Sequence, residues 1–287
     1  MSHEELTGVN NQDLKQMYSS YYAPLFHLAY HMLGSTAEAE DAVHDVFMTL
    51  NRDESRITLQ DSWKSYLWKM TTNRCIDILK SARIKREQYT GPWLPEPLNE
   101  DSKLDQSESP LQRVVLREQL SYSLLVLMDR LTPYERCVFL LKEVYGYTYN
   151  EVANITNKTE ANCRQLLSRA KKKLNLRQEH VDTKNIEVTT TGKEQKQWIH
   201  QFFSAIEKND IEALKRICME DIKLYADGGG KVPAATRPVE GLERVSILLL
   251  AVANKQLHAF ETEIRTINGQ QGLVLKNQEK TVTHVIC

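Results

Sequence analysis

Residues 131–174, "LTPYERCVFLLKEVYGYTYNEVANITNKTEANCRQLLSRAKKKL", carry two helix-start signals in tandem. Thr132 stands at an N-cap position, Pro133 follows at the first helical position, and Glu135 completes a capping box. Thr148 and Glu151 repeat the box just after Gly146. The second helix should run to about Ile155. "TNKT" then makes a turn, and a further helix spans about Glu160 to Leu174. Its apolar face reads Ala161, Cys163, Leu166, Leu167, Ala170 and Leu174. Two short helices, a tight turn and a basic second helix fit a helix-turn-helix.

Charge separates along the chain although the net charge is only −1. Residues 161–178 contain Arg164, Arg169, Lys171, Lys172, Lys173 and Arg177 and no acid, whereas "STAEAEDAVHD" is acidic. Such segregation points to two faces for different partners, one of them a polyanion. The longest apolar run, "ILLLAVA" at 247–253, is too short to cross a bilayer, so no membrane partner is expected. "MSHEELTGVN" is no secretory signal. Five scattered cysteines, none in a CxxC pair, fit neither a disulfide framework nor a zinc site. These signs together predict a cytoplasmic protein.

The remaining segments organise around two linkers. Residues 12–86 read as helices: Ser35 and Glu38 form a capping box, and Ala39, Ala42, Val43, Val46, Phe47 and Leu50 recur at helical spacing behind it. Glu38, Asp41 and Asp45 share the opposite face. A long helical pattern from Trp63 to Arg86 turns basic toward its end. Residues 87–112 form a linker holding four of the eight prolines. Its "WLPEP" carries a Trp and a Leu that a mere spacer does not need, so that stretch is expected to dock. Helices resume at Val114 and continue to about 176. After a polar linker, residues 193–287 change character: two helices broken near Asn209, a strand at "DIKLYAD", a helix at "GLERVSILLLAVAN", then strands at "HAFETEIRTING", "GLVLKN" and "KTVTHVIC". This is an α+β order. The last strand runs into the chain end, so the sheet is expected to lack closing strands.

Four segments in this order resemble the extracytoplasmic-function (ECF) group of bacterial RNA polymerase sigma factors. "AEDAVHDVF" at 39–47 is similar to the family's region 2.2, "WKSYLWKMTTNRCIDILKSARIKR" at 63–86 to regions 2.3 to 2.4, and 131–174 to region 4. "WLPEP" together with "DGGGK" at 227–231 resembles the subgroup with a fused C-terminal SnoaL-like domain. The resemblance implies a region 2 helical bundle over 12–86, a region 4 helix-turn-helix over 113–176, and a C-terminal α+β cone over 193–287.

It also implies partners and roles. Region 2.2 docks on the clamp helices of the largest subunit of core RNA polymerase, here through Glu38, Asp41, His44 (where the family usually has Gln) and Asp45. Promoter DNA at the −10 element falls to Trp63, Asn73, Arg74, Lys80 and Arg83, with the loop at about 51–61. Unstacked bases are held by aromatic faces and cations at roughly 1–3 kcal/mol per stacked base. Aromatics at this spacing are more often core, so Trp68 is expected in a core rather than against a base, and Asp77 is expected to order its helix. The 160–174 helix should enter the major groove at the −35 element with Arg164, Gln165, Ser168 and Arg169, while Lys172 and its neighbours Lys171 and Lys173 hold phosphates or form a solvated end. The turn has Asn157 and Lys158 where the family often has glycine or a hydrophobic residue. Trp93, Leu94 and Pro95 of the linker and Asp227, Gly228, Gly229, Gly230 and Lys231 of the loop are implied to make a regulatory contact in cis.

Other chemistries are weaker. His27 and His31 stand at i, i+4, but no carboxylate or cysteine nearby completes a metal set, and they read as structural. "NIT" and "NKT" match glycosylation sequons that mean nothing without export. "DGGGK" is no P-loop: no glycine lies five residues before Gly230, and Val232 stands where Ser or Thr is needed. No enzyme and no cofactor are expected. Two other classes stay open: a helix-turn-helix regulator independent of polymerase, and a bifunctional protein whose last domain is an enzyme, with Asp227 and His200 as the acid–base candidates, or a receptor for a small ligand in the cone.

Overall fold

The computed structural model describes residues 11–52, 63–86, 94–98, 120–174, 192–227, 235, 237–256, 260–277 and 282–286. The loop at 53–61, Trp93, Gly228, Gly229, Gly230 and Lys231 lie outside the described residues, as does the side chain of Arg83. The chain forms two compact units. One holds Met1–Arg86 with Ser102–Ile186, the other Glu87–Asp101 with Glu187–Cys287.

The first unit opens with three helices, α1 (Asn11–Leu33), α2 (Thr36–Arg52) and α3 (Trp63–Arg86), each packed against the other two. On α2 the six residues at helical spacing, Ala39 to Leu50, are the six that are buried. Leu25, Phe26, Leu28, Ala29 and Met32 of α1 and Leu67, Trp68 and Ile76 of α3 are buried as well, on helices that pack against α2. Burying each large apolar side chain contributes about 1.5–3 kcal/mol. Trp68, only 2% exposed, belongs to this core and is not available to a base.

Among the described residues four helices follow: α4 (Tyr122–Met128), α5 (Pro133–Phe139), α6 (Tyr149–Thr156) and α7 (Glu160–Lys173). Both capping boxes form as the sequence predicts, at Thr132/Glu135 and Thr148/Glu151. Between α5 and α6 the chain makes a π-helical turn, Leu140–Val144, closed by Tyr145 N–H donating to the Leu140 carbonyl at 2.9 Å. Gly146 at φ 69° then turns the chain into α6, a conformation that a side chain would strain. The tight turn after α6 needs a left-handed residue, and Asn157 supplies it at φ 52°, ψ 47°. Asparagine is among the few side chains that tolerate this region, so glycine is dispensable there. The apolar stripe of α7 is narrower than predicted: Cys163, Leu167, Ala170 and Leu174 are buried, Leu166 is half-buried, and Ala161 is exposed.

The two helical groups pack together. α3 lies against α5 and α6, and α1 against α5 and the π-turn. Arg136 of α5 is nearly buried, at 6% exposure, and donates Nη1 to the Met32 carbonyl at 2.7 Å and Nε to the Met128 carbonyl at 3.1 Å. One guanidinium thus ties the carbonyl end of α1 to that of α4, where the Leu131 N–H also bonds the Met128 carbonyl at 3.0 Å. His31 Nδ1 lies 2.9 Å from the Tyr145 hydroxyl. Burial lowers the His27 pKa to about 4. For His31 burial, aided by the His27 charge, lowers it to about 3. Both rings are therefore neutral packing groups.

The second unit has helices α8 (Gly192–Glu207), α9 (Ile211–Ile217) and α10 (Leu242–Gln256), whose apolar faces share Phe202, Ala205, Ile206, Leu214, Leu250 and Ala253. Asn209 at φ 54° breaks α8 from α9, and Asp210 caps α9 by accepting the Ala213 N–H. A small ribbon pairs β1 (Lys223–Leu224) with β2 (Val239–Glu240), so only two residues of "DIKLYAD" are strand. β3 (Glu261–Ile267), β4 (Gln270–Lys276) and β5 (Val282–Ile286) form an antiparallel meander. Asn268–Gly269, both at positive φ, join β3 to β4 and set the register Ile267↔Gln270 through Glu261↔Lys276. Asn-Gly is the favoured two-residue hairpin turn. Ile199 and Phe203 of α8 cover Leu273 and Leu275 of β4.

Candidate nucleic-acid and polymerase interface

Helix α7 presents a built surface. Thr159 caps it by accepting the Asn162 N–H, while Cys163, Leu167 and Ala170 anchor one face against α5 and α6. Arg164, Gln165, Ser168, Arg169 and Lys172 lie on the other face and are all exposed. The three consecutive lysines part company. Lys171 Nζ pairs with Glu143 Oε2 at 2.8 Å and Lys173 Nζ with Glu135 Oε2 at 2.6 Å. Those two fasten α7 to the π-turn and to α5, which leaves Lys172 as the outward cation of the three, with no ion pair among the described residues. The Glu135 carboxyl would be raised by its burial, but hydrogen bonds from Lys173 and from the Thr132 N–H and hydroxyl hold it below the ordinary range.

Arg164 is held rather than free. Its Nη2 lies 3.0 Å from Glu160 Oε2, and its guanidinium carbon lies 4.0 Å from the Tyr149 ring centroid. On α3, Asn73 is exposed and Trp63 half-buried. Lys80 is exposed, 3.6 Å from Asp77 and 5.3 Å from the Tyr134 ring, over which Lys158 of the turn also sits at 3.8 Å. Asp77 is itself exposed and lies on the same helix as Lys80.

On α2, Asp41 and His44 are exposed and Glu38 is half-buried. Asp45 and Arg74, read from the sequence as facing different partners, are joined at 2.7 Å. They line a shallow depression of about 480 Å³ with His44, Met48, Thr49 and Arg52. Sequence reasoning missed Met48, Thr49 and Arg52. Their signal was the helical spacing, since 44, 48 and 52 continue one face.

The linker residues meet the C-terminal unit to which they cluster. The Leu94 N–H donates to Asp227 Oδ2 at 3.0 Å, and Pro95 is buried. The Leu98 N–H donates to Asn268 Oδ1, and the Asn268 N–H returns a bond to the Leu98 carbonyl, each at 3.0 Å. Asn268 was missed as a contact; the hairpin dipeptide marks its place but not its partner. His200 is exposed, and the Asp227 carboxylate is engaged with Leu94. Among the described residues no three His, Cys, Asp or Glu gather to hold a metal, and no helix is long and apolar enough to cross a membrane.

Comparison with known proteins locates two family models in this chain: Sigma-70 region 2 over residues 17–84 and Sigma-70, region 4 over residues 121–174. The first spans α1 to α3 and the second α4 to α7. The chain is 28% identical to "ECF RNA polymerase sigma factor SigJ" of Mycobacterium tuberculosis over 86% of its own length and 76% of the relative's. It is 33% identical to "Probable ECF RNA polymerase sigma factor SigI" of the same species over 54% of its length and 52% of the relative's. The crystal structure of SigJ superposes with a TM-score of 0.69 at 24% identity, covering 94% of this chain and 89% of that one, which shows a shared fold.

Proposed function

We infer that the chain is an ECF sigma factor, which brings core RNA polymerase to a promoter and starts transcription there, region 2 engaging the −10 element and region 4 the −35 element. The observation that carries this is the occurrence, in family order, of region 2 on a three-helix bundle and region 4 on a helix-turn-helix whose second helix shows an acid-free outer face from Arg164 to Lys172. In this reading Arg164, Gln165, Ser168 and Arg169 face base edges and Lys172 a phosphate. Trp63, Asn73, Arg74, Lys80 and Arg83 serve the −10 strand, and Glu38, Asp41, His44 and Asp45 meet the clamp helices of the largest polymerase subunit. Nucleotidyl transfer belongs to the core enzyme, beside which the factor acts in the cytoplasm. Reconstitution with core polymerase tests this. Promoter-directed run-off transcription that depends on the chain is expected; failure to associate with core, with tight DNA binding alone, overturns it.

The C-terminal unit is, in our reading, a SnoaL-like domain that regulates the factor in cis. The bond from the Leu94 N–H to Asp227 supports this, because a linker held on another unit is not free to extend between regions 2 and 4. Trp93, Gly228, Gly229, Gly230 and Lys231 flank that bond in sequence and belong to the same proposed contact. Asp227→Ala should change the level of promoter-directed transcription with the fold intact. Unchanged transcription would sink the regulatory role while leaving the sigma assignment standing.

A further inference from the structure

Arg164 stands apart from the other exposed cations of α7 because two side chains hold it. Tyr149, the first residue of α6, presents its ring 4.0 Å from the guanidinium carbon. Glu160, one turn earlier on α7, takes Nη2 at 3.0 Å. The ring itself is flanked by a second cation, Lys142 of the π-turn, whose Nζ lies 5.1 Å from its centroid. The chain of contacts runs from the π-turn through Tyr149 to Arg164 and ends on Glu160, joining three successive elements of region 4.

An arginine on a solvent-exposed helix face samples many rotamers, and selecting one of them on binding weakens whatever contact it then makes. A guanidinium stacked on a ring has a fixed plane. Glu160 takes one of its five N–H donors, so others remain for an acceptor on DNA. Reading of a base edge by arginine depends on that plane, since two parallel donors must meet two acceptors. A phosphate contact has no such need.

We propose that Tyr149 and Glu160 are positioning residues that hold the Arg164 guanidinium in the plane from which it reads a base of the −35 element. The proposal rests on the reading that α7 enters the major groove. Its signature separates it from a structural role. Glu160 carries a negative charge on the DNA-facing helix, so Glu160→Gln should raise affinity for every sequence while lowering discrimination at one base position. A lost fold would lower both.

The test uses the full chain bound to core polymerase, with a promoter selected by the wild-type holoenzyme from a pool randomised in the −35 element. Competition binding at one fixed salt concentration then measures preference at each −35 position. Tyr149→Leu should cut the preference about two- to fivefold at the position that Arg164→Ala abolishes, the range expected of an exposed cation–π contact. Tyr149→Phe, which keeps the ring, should restore it. Glu160→Gln should lower preference at that same position. If Arg164→Ala abolishes preference at one position while Tyr149→Leu, folded by circular dichroism, and Glu160→Gln leave it unchanged, the positioning role is refuted and the groove reading stands. Should Arg164→Ala weaken all sequences equally, Arg164 is a phosphate contact and both fall.

Discussion

Replacing Arg136 by methionine tests how the two helical groups of the first unit are joined. The guanidinium is nearly buried and makes two short hydrogen bonds, 2.7 Å to the Met32 carbonyl on α1 and 3.1 Å to the Met128 carbonyl on α4. A hydrogen bond to a charged group is worth about 1.5–3 kcal/mol, and of the two acceptors the Met128 carbonyl would keep the Leu131 N–H at 3.0 Å. The third neighbour, Asp129 at 3.8 Å, is largely exposed and adds little. Methionine keeps most of the volume, so packing changes least and the loss is polar: about 3–5 kcal/mol, within the sum of two hydrogen bonds to a charged group. At about 2–4 °C per kcal/mol for a unit of this size, the melting temperature should fall by roughly 10 °C in scanning calorimetry. Lysine at this position keeps the charge without the fork and should recover only part of the loss. A second readout comes from the thiols. Cys75 on α3 and Cys137 on α5 are buried on helices that pack together, and burial pushes both thiols above the ordinary range. Maleimide labelling of both should quicken in Arg136→Met. A melting temperature within 2 °C of wild type, with unchanged labelling, would refute the assignment of Arg136 as the tie between α1 and α4.

Two further outcomes follow from buried polar groups. Among the described residues the Tyr147 hydroxyl is buried without a hydrogen-bond partner, so Tyr147→Phe should be neutral or stabilising by up to about 1 kcal/mol in urea melts; destabilisation beyond that would show a partner outside them. His27 and His31 have folded-state pKa values lowered to about 4 and about 3, against about 6.5 in an unfolded chain. A lowered histidine pKa means that the unfolded state binds more protons between those limits. Stability is therefore fullest above pH 6.5 and declines as pH falls through 6.5 toward 4, by at most about 1.4 kcal/mol per pH unit per histidine. Urea melts of wild type against His31→Phe between pH 8 and 5 check this, and a wild-type curve flat from pH 7 to 5 would count against it.

Local chemistry made much of region 4 legible in the sequence alone. Capping boxes at Thr132 and Thr148, the buried set on α2 and the broken helix at Asn209 are decided by near neighbours in the chain, where one side chain and one backbone group suffice. The Asn268–Gly269 turn is equally local, although the strand pattern of the sequence runs through it. Tertiary structure decided which charges are free. Nothing in the run of three lysines distinguishes Lys172 from Lys171 and Lys173, because Glu143 and Glu135 come from other elements. Nor does spacing show that Asp45 meets Arg74 or that Tyr149 lies beside Arg164. The physical reason is common to all of these. Periodicity fixes the face of a helix on which a residue stands, but the partner that neutralises, buries or orients it is supplied by chain distant in sequence and brought near only by folding.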